Sequence, residues 1–305
     1  MTAIRFDGRV AVITGGGRGL GRQYALNLAG RGASVVVNDL GGSVSGDGAS
    51  QSAAADVVQE ITAAGGAAVA NGDDVSSPDG AGRLIAQAMD RFGRVDALVC
   101  NAGILRDKTL ANMPAADFEQ VVRVHLFGTA YVAKAAFPIM REQHYGRIVV
   151  TTSHSGIFGN FGQTNYASAK LGLVGFMLAL KEEGLKYGIL ANAVAPLAIT
   201  RLGAGVFPDA LAAILTPERV APIVTYLCSE SCLSTGQVVL AGAGRVARVE
   251  MVQNAGITLD DAALTAETVA ERWSEITDMT GARSFPNSRE AFTTWLGQPA
   301  FVPKG

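Results

Sequence analysis

The sequence predicts an α/β protein built on a doubly wound parallel sheet. Three observations predict it. Short β-branched or apolar runs recur between longer alanine-rich segments with helical spacing. Most of those runs are apolar throughout rather than alternating, as strands are when helices cover both faces of a parallel sheet. A glycine-rich turn follows the first run and opens a helix, the arrangement in which ligands bind at the carboxyl ends of the strands.

Taken in order, the strands are read as RVAVITG (9–15), ASVVVND (33–39), AAVANGDDV (67–75), DALVCNAG (96–103), RIVVTTS (147–153), ILANAVAP (189–196) and QVVLAGAG (237–244), with helices between them. The run GGSVSGDGAS (41–50) is glycine- and serine-rich and is expected to be a flexible, poorly ordered loop. The stretch 197–215 mixes glycines with Phe207, Leu211 and Leu215. Two readings stay open for it, a mobile apolar lid and a surface helix packed on the core. After residue 245 the strand rhythm stops, and AETVAERWSEITDMTGA reads as one amphipathic helix. The chain is therefore divided into a core, 1–245, and a C-terminal extension, 246–305, helical and packed on the core or on a partner subunit.

Composition narrows the function classes. Of 305 residues 49% are hydrophobic and 17% charged, enough apolar material for a sizeable core. A net charge of −2 gives no basic footprint for nucleic acid or an anionic membrane, and no apolar run approaches the roughly 20 residues that span a bilayer. The three cysteines, Cys100, Cys228 and Cys232, are too few and too irregular for a disulfide framework, and no histidine lies near the last two, so no metal site is expected. The N-terminus shows no signal-peptide pattern, which makes the cytoplasm the expected location.

The turn TGGGRGLG (Thr14–Gly21) carries glycines at 15, 19 and 21. Such glycines allow a tight turn and close approach of backbone to a pyrophosphate, which the helix N-terminus stabilises. Asp39 ends the second strand about 20 residues on, the distance expected for a carboxylate that holds an adenine ribose. Together these make the fold Rossmann-like and imply a dinucleotide. Asp39 would repel a 2′-phosphate, whereas Arg18 could attract one. The like-charge repulsion decides for NAD over NADP.

Tyr166 and Lys170 are one helical turn apart and share a face. A free tyrosine titrates near about pH 10, too high for a neutral-pH acid–base catalyst. A neighbouring ammonium, with the charge of an oxidised nicotinamide, is expected to lower it. Ser153, at the end of the fifth strand, can aim its hydroxyl at the same substrate oxygen. The motif YxxxK alone is common, and it gains meaning from the glycine turn, from Asn101-Ala102-Gly103 after the fourth strand, and from Ser153. His144 lies in a polar turn and is expected to be exposed. His154 follows Ser153 directly, but strand neighbours point to opposite faces and there is no G-x-S-x-G elbow, so hydrolysis is set aside.

On these motifs the chain resembles the short-chain dehydrogenases/reductases over about residues 7–245. The resemblance implies an oxidoreductase acting on CH–OH donors. Thr14, Gly15, Arg18, Gly19, Leu20 and Gly21 would then form the coenzyme turn. Asp39 would bind the ribose, Asp74 and Val75 the adenine, and Asn101, Ala102, Gly103 and Pro196 would line the cofactor cleft. Thr200 would hold the carboxamide. Ser153, Tyr166 and Lys170 would be catalytic, and Tyr166 and Lys170 would also touch the cofactor. Two departures stand out. His125 occupies a position where the family commonly has an asparagine feeding a proton relay; it either takes part in that relay or is a buried histidine satisfied by a backbone carbonyl. The segment PLAIT (196–200) lacks the usual glycine and reaches Thr200 one residue early.

A narrower likeness, carried by VVVNDLGG, NAGILRD, RVHLFGTAYV and VAPIVTYLCSESC, is to the (3R)-hydroxyacyl-CoA dehydrogenase unit of peroxisomal multifunctional enzyme type 2. It implies a (3R)-3-hydroxyacyl-CoA substrate, with a steroid or steroid-bearing acyl-CoA as the alternative, and a stand-alone dehydrogenase. A non-catalytic NAD(H)-binding sensor is the reading from another class, and the presence of serine, tyrosine and lysine together counts against it. Family resemblance further implies a homodimer or homotetramer, with helices around 117–143 and 164–187 at the interface.

Overall fold

The computed structural model describes residues 3–50, 52–199 and 209–297, and the chain divides into two compact units, Met1–Arg248 and Val249–Gly305. Eight strands form one sheet: β1 (Val10–Thr14), β2 (Ser34–Asn38), β3 (Ala67–Asn71), β4 (Ala97–Cys100), β5 (Gly146–Thr151), β6 (Ile189–Leu197), β7 (Val238–Gly242) and β8 (Arg245–Val249). Their order is β3-β2-β1-β4-β5-β6-β7-β8, and the pairs from β3 through β7 are parallel. The order reverses between β1 and β4, which opens a crevice at the carboxyl ends of those two strands. Helices α1 (Gly19–Ala29), α2 (Ser52–Ala63), α3 (Pro78–Phe92), α4 (Ala115–Val122), α5 (Gly128–Gln143), α6 (His154–Phe158), α7 (Thr164–Gly184), α8 (Asp209–Ala212) and α9 (Ala221–Cys228) connect the strands.

The apolar runs became strands because both faces are covered. Val12, Ile13, Val36, Leu98, Val99, Ile148 and Val149 are all fully buried, each burial favouring the fold by about 1.5–3 kcal/mol. Local signals set the helix ends. Ser77 caps α3 by accepting from the Gly80 amide at 3.3 Å, Pro78 opens it, and Gly93 closes it in the left-handed conformation at φ 74°.

The structure departs from the sequence reading at four places. A strand, β8, lies where the rhythm was expected to have ended. Ala243 and Gly244 have φ of 51° and 76°, a pair of positive values that makes a two-residue hairpin turn and so joins β7 to an antiparallel neighbour. The residues of β8 are mostly exposed, which hid it from a search for buried runs. The 41–50 loop is not loose: Ser43 and Asp47 close a turn, with the Ser43 amide on the Asp47 carbonyl at 2.8 Å and the Asp47 amide on Ser43 Oγ at 3.0 Å. The single helix expected at 266–282 is two short ones, α10 (Ala266–Glu271) and α11 (Trp273–Ile276), followed in the second unit by α12 (Ser288–Leu296). Finally, Ala210–Cys228 has a mean hydropathy of 1.3 over 19 residues, long and apolar enough by composition to span a membrane. It is broken into α8, a 3-10 turn at Pro217–Arg219 and α9, and such a break would leave backbone groups unpaired in lipid.

Candidate active site

The β1–β4 crevice is built by side chains that bond across it. Thr14 Oγ1, at the end of β1, accepts the amides of both Asn101 (3.0 Å) and Ala102 (3.1 Å). Asn101 Nδ2 donates to the Gly15 carbonyl at 3.0 Å. This brings the glycine turn against the run after β4 so closely that a Cβ on Gly15 would meet Ala102 Cα at 2.8 Å, and Gly15 itself has φ 61°. A Cβ on Gly21 would run into the Gly15 carbonyl and the Asn101 side chain. Both positions therefore require glycine.

A cleft of about 250 Å³ lies along this seam. Of the residues expected at the cofactor, Gly15, Arg18, Gly19, Leu20, Asp39, Asp74, Val75, Asn101, Ala102 and Gly103 line it, whereas Thr14 is buried beneath and Gly21 faces Gly15. Arg18 is exposed. Asp39 is more occupied than its sequence position suggested, since Oδ2 accepts the Gly17 amide at 2.9 Å and Oδ1 the Gly41 amide at 2.7 Å. Gly17, inside the glycine turn, is thus part of the carboxylate's setting. Pro196 is half-buried near the end of β6. Thr200 and Phe207 lie outside the described residues. Leu211 is exposed, and the Ile199 amide donates to the Leu215 carbonyl at 2.7 Å, which joins the two ends of the 199–215 stretch.

Ser153 lies two residues past β5 and is the N-cap of α6, not a strand residue; its Oγ accepts the Ser155 amide at 3.1 Å. The remaining hydroxyl hydrogen is then free to donate, and Ser153 is near enough to Tyr166 to favour its phenolate. Tyr166 and Lys170 share a face of α7, with Lys170 Nζ 5.5 Å from the tyrosine ring centroid. Lys170 is 3% exposed, and its Nζ donates to the Thr151 carbonyl at 2.6 Å. In return Thr152 Oγ1 donates to the Lys170 carbonyl at 2.6 Å. Neither threonine was anticipated, because a backbone acceptor leaves no mark on residue type.

The charge states correct one expectation. Burial raises Tyr166 above its ordinary value, the Ser153 hydroxyl offsets part of that, and Asp107 adds to the rise. Lys170 does not lower it in the protein alone, because burial pulls the lysine itself from 10.5 down to about 7, against a small opposing effect of Cys100.

His125 is 2% exposed, in a π-helical turn, Arg123–Phe127. Its Nε2 is 2.8 Å from the Ile104 carbonyl and 3.1 Å from the Ile104 amide, while Nδ1 has no hydrogen-bond partner among the described residues. Burial holds it well below the usual histidine value, so the ring is neutral. It stands edge-on to Tyr166 with centroids 5.2 Å apart, and a Cβ on Gly103 would overlap it. His125 thus bridges the cleft wall and the tyrosine. His144 is exposed at the C-terminus of α5, and His154 begins α6 with its ring tilted by 49° against Phe158, centroids 4.7 Å apart.

A dinucleotide crevice at a sheet reversal, beside a serine, tyrosine and lysine gathered on adjoining helices, defines an oxidoreductase acting on CH–OH donors. The chain belongs to the short-chain dehydrogenases: the family profile described as "short chain dehydrogenase" matches residues 9–204. It is 53% identical over 275 residues to a short-chain type dehydrogenase/reductase of Mycobacterium tuberculosis, covering 90% of this chain and 96% of that one. It is 49% identical over 296 residues to peroxisomal multifunctional enzyme type 2 of Drosophila melanogaster, covering 96% of this chain but 49% of the enzyme. The full-length structure of that enzyme superimposes with a TM-score of 0.82 at 41% identity, over 96% of this chain and 50% of the other. A 7α-hydroxysteroid dehydrogenase complexed with NADH and 7-oxo glycochenodeoxycholic acid superimposes with a TM-score of 0.71 at 30% identity, over 79% and 95% of the two chains.

Proposed function

We propose that this chain is an NAD-dependent dehydrogenase that interconverts a (3R)-3-hydroxyacyl-CoA and its 3-oxoacyl-CoA. The carrying observation is the meeting of Ser153, Tyr166 and Lys170 beside a cleft that ends at Asp39. The residues fit a dinucleotide: the absence of a Cβ at Gly15 and Gly21 lets the glycine turn close against Asn101 and Ala102 along the cleft, and Asp39 presents a carboxylate at its wall, where an adenine ribose would lie. That carboxylate favours NAD over its 2′-phosphorylated form by like-charge repulsion. The nicotinamide, when bound, supplies the hydride acceptor or donor. Asp39, Asp74 and Val75 would hold the adenosine end, and Lys170, the nicotinamide ribose.

The protein's own groups divide the proton work. Tyr166, held above its ordinary value, is protonated at neutral pH and suits donation to a ketone oxygen; in the other direction the phenol must first release its own proton to solvent, which the positive charge of an oxidised nicotinamide would favour, before its Oη takes the alcohol proton. Ser153 already has its oxygen engaged by the Ser155 amide, so its hydrogen is directed at the phenol or at the substrate oxygen while charge develops there. Lys170, poised at about 7, can give or take a proton near neutrality.

The acyl-CoA assignment is supported by the likeness to the multifunctional-enzyme unit at 49% identity over nearly the whole chain. The second reading, a hydroxysteroid, is supported by the likeness to the 7α-hydroxysteroid dehydrogenase. The family likeness also supports a homodimer or homotetramer, which sedimentation of the purified protein would test. Initial rates of NADH formation with (3R)- and (3S)-3-hydroxyacyl-CoA of several lengths and with hydroxysteroids, each with NAD and NADP, test the proposal. Activity selective for (3R) with NAD is expected. Activity on the steroid alone would overturn the acyl-CoA assignment, and NADH binding without turnover would revive the sensor.

A further inference from the structure

The loop 41–50 does not end at its own turn. It is fastened to the segment that follows Gly103. The Leu105 amide donates to the Val44 carbonyl at 3.1 Å, and a Cβ on Gly46 would meet Ile104 Cγ2 at 3.0 Å. Arg106 spreads its guanidinium over three acceptors: Nε donates to the Ser45 carbonyl at 2.8 Å, Nη1 to Asp117 Oδ1 on α4 at 3.0 Å, and Nη2 reaches Asp47 Oδ1 at 3.5 Å. The Arg106 and Asp117 side chains are 23% and 19% exposed, so their pairing is partly shielded, whereas Asp47 is 72% exposed and contributes little. At the loop's root, Asp39 Oδ1 holds the Gly41 amide, and Gly42, Ser43 and Gly46 line the cleft.

The same residue also faces the catalytic side. Its carbonyl accepts Asn165 Nδ2 at 2.9 Å; Asn165 is fully buried, and its Oδ1 accepts the Tyr166 amide at 2.7 Å. One arginine therefore touches the wall of the coenzyme cleft with its side chain and the start of the tyrosine's helix with its backbone.

We infer that the loop 41–50 is a flap over the adenosine half of the coenzyme, and that Arg106 is the positioning residue that clasps it against α4. The inference rests on the dinucleotide reading above. A fork with fixed donor geometry suits the task, because Nε and Nη1 aim separate N–H groups at the Ser45 carbonyl and at Asp117, whereas an ammonium would present all its donors from one nitrogen. The guanidinium's bonds go to the loop and to α4 rather than to Ser153, Tyr166 or Lys170, so the clasp is read through coenzyme retention.

The test is a double-mutant cycle read by binding. Dissociation constants for NADH by fluorescence and for ADP-ribose by calorimetry are measured for the full chain, for Arg106→Ala, for a variant with residues 42–49 replaced by two glycines, and for both changes together. Arg106→Ala is expected to weaken both ligands about tenfold, the shortened loop to do the same, and the combination to be no worse than either alone, since contacting groups couple rather than add. Arg106→Lys, which keeps the charge, should recover only part of the loss, and it serves in place of Arg106→Ala if that variant does not fold. Unchanged ADP-ribose binding in the arginine variants, or losses that simply multiply in the combined variant, would overturn the flap. Failure of the unaltered protein to bind NADH would overturn the dinucleotide reading with it.

Discussion

Replacing Lys170 by methionine should stabilise the protein and disable it, and the stability gain should depend on pH in a way that identifies its cause. Lys170 is buried with one hydrogen bond, and its value falls from 10.5 to about 7. At about 1.4 kcal/mol per pH unit, that fall corresponds to a penalty of about 5 kcal/mol at and below neutral pH, where the unfolded chain carries the charge that the folded one disfavours. Between pH 7 and 10.5 the folded lysine has lost its proton while the unfolded one keeps it, so the unfolded state binds more protons and the unfolding free energy rises with pH. Methionine has nearly the same shape and no proton. The wild type should therefore gain about 2 kcal/mol relative to Lys170→Met on going from pH 7 to pH 9. Urea unfolding of both proteins at the two pH values measures this, since groups shared by the two chains cancel in the difference. A difference that stays flat with pH would refute the argument and mean that the bond to the Thr151 carbonyl keeps the ammonium charged despite burial.

Other perturbations follow from the same geometry. Tyr166→Phe should retain NADH binding and lose turnover by roughly 10²–10⁴-fold; comparable turnover by spectrophotometric assay would remove the acid–base assignment. Asp39→Ala should raise the ratio of NADP to NAD efficiency, yet weaken both coenzymes, because the carboxylate also holds the Gly17 and Gly41 amides; an unchanged ratio in steady-state kinetics would show that the carboxylate does not read the ribose. Ser153→Ala should cost about 1 kcal/mol by denaturant unfolding through loss of the α6 cap, and should lower kcat as well; a stability loss with kcat intact would leave Ser153 a cap only. Gly103→Ala should destabilise by about 1–3 kcal/mol, because the new methyl overlaps the His125 ring in a packed interior; wild-type stability in that variant would mean the ring can move aside.

The sheet was legible because its rule is simple: a strand covered on both faces is apolar throughout, and β1, β4 and β5 are buried along their whole length. Strand β8 was not, since an exposed edge strand such as Arg245–Val249 carries no such mark. The nearness of Tyr166 and Lys170 was legible from spacing, because a turn of helix puts positions 166 and 170 on one face whatever surrounds them. Their charge states were not, since burial is a property of the whole fold: the expectation that Lys170 would lower Tyr166 took the ammonium as charged beside an oxidised nicotinamide, and the fold buries it. The ties at Arg106 and at the Thr151 carbonyl join residues far apart in sequence or use backbone atoms, and neither leaves a periodic trace. The 41–50 loop looked loose because serine and glycine were counted as breakers, whereas here Ser43 and Asp47 bond each other and Arg106 closes the rest.

The exchange between Lys170 and its two threonines has a consequence for how the site can drift under mutation. Thr151 contributes only its carbonyl, so a change of residue there leaves the lysine's acceptor in place, and the hydroxyl it carries has no partner among the described residues. Thr152 contributes its hydroxyl, and loss of that group would break the bond that ties the end of β5 to the Lys170 carbonyl, leaving that carbonyl only its place in the α7 ladder. Gly156 packs so tightly that a Cβ there would come within 2.7 Å of Lys170 Cβ. Three neighbouring positions around one amine thus differ sharply in their tolerance: 151 can be rewritten, 152 can be exchanged only for another small hydroxyl, and 156 can hardly be altered at all.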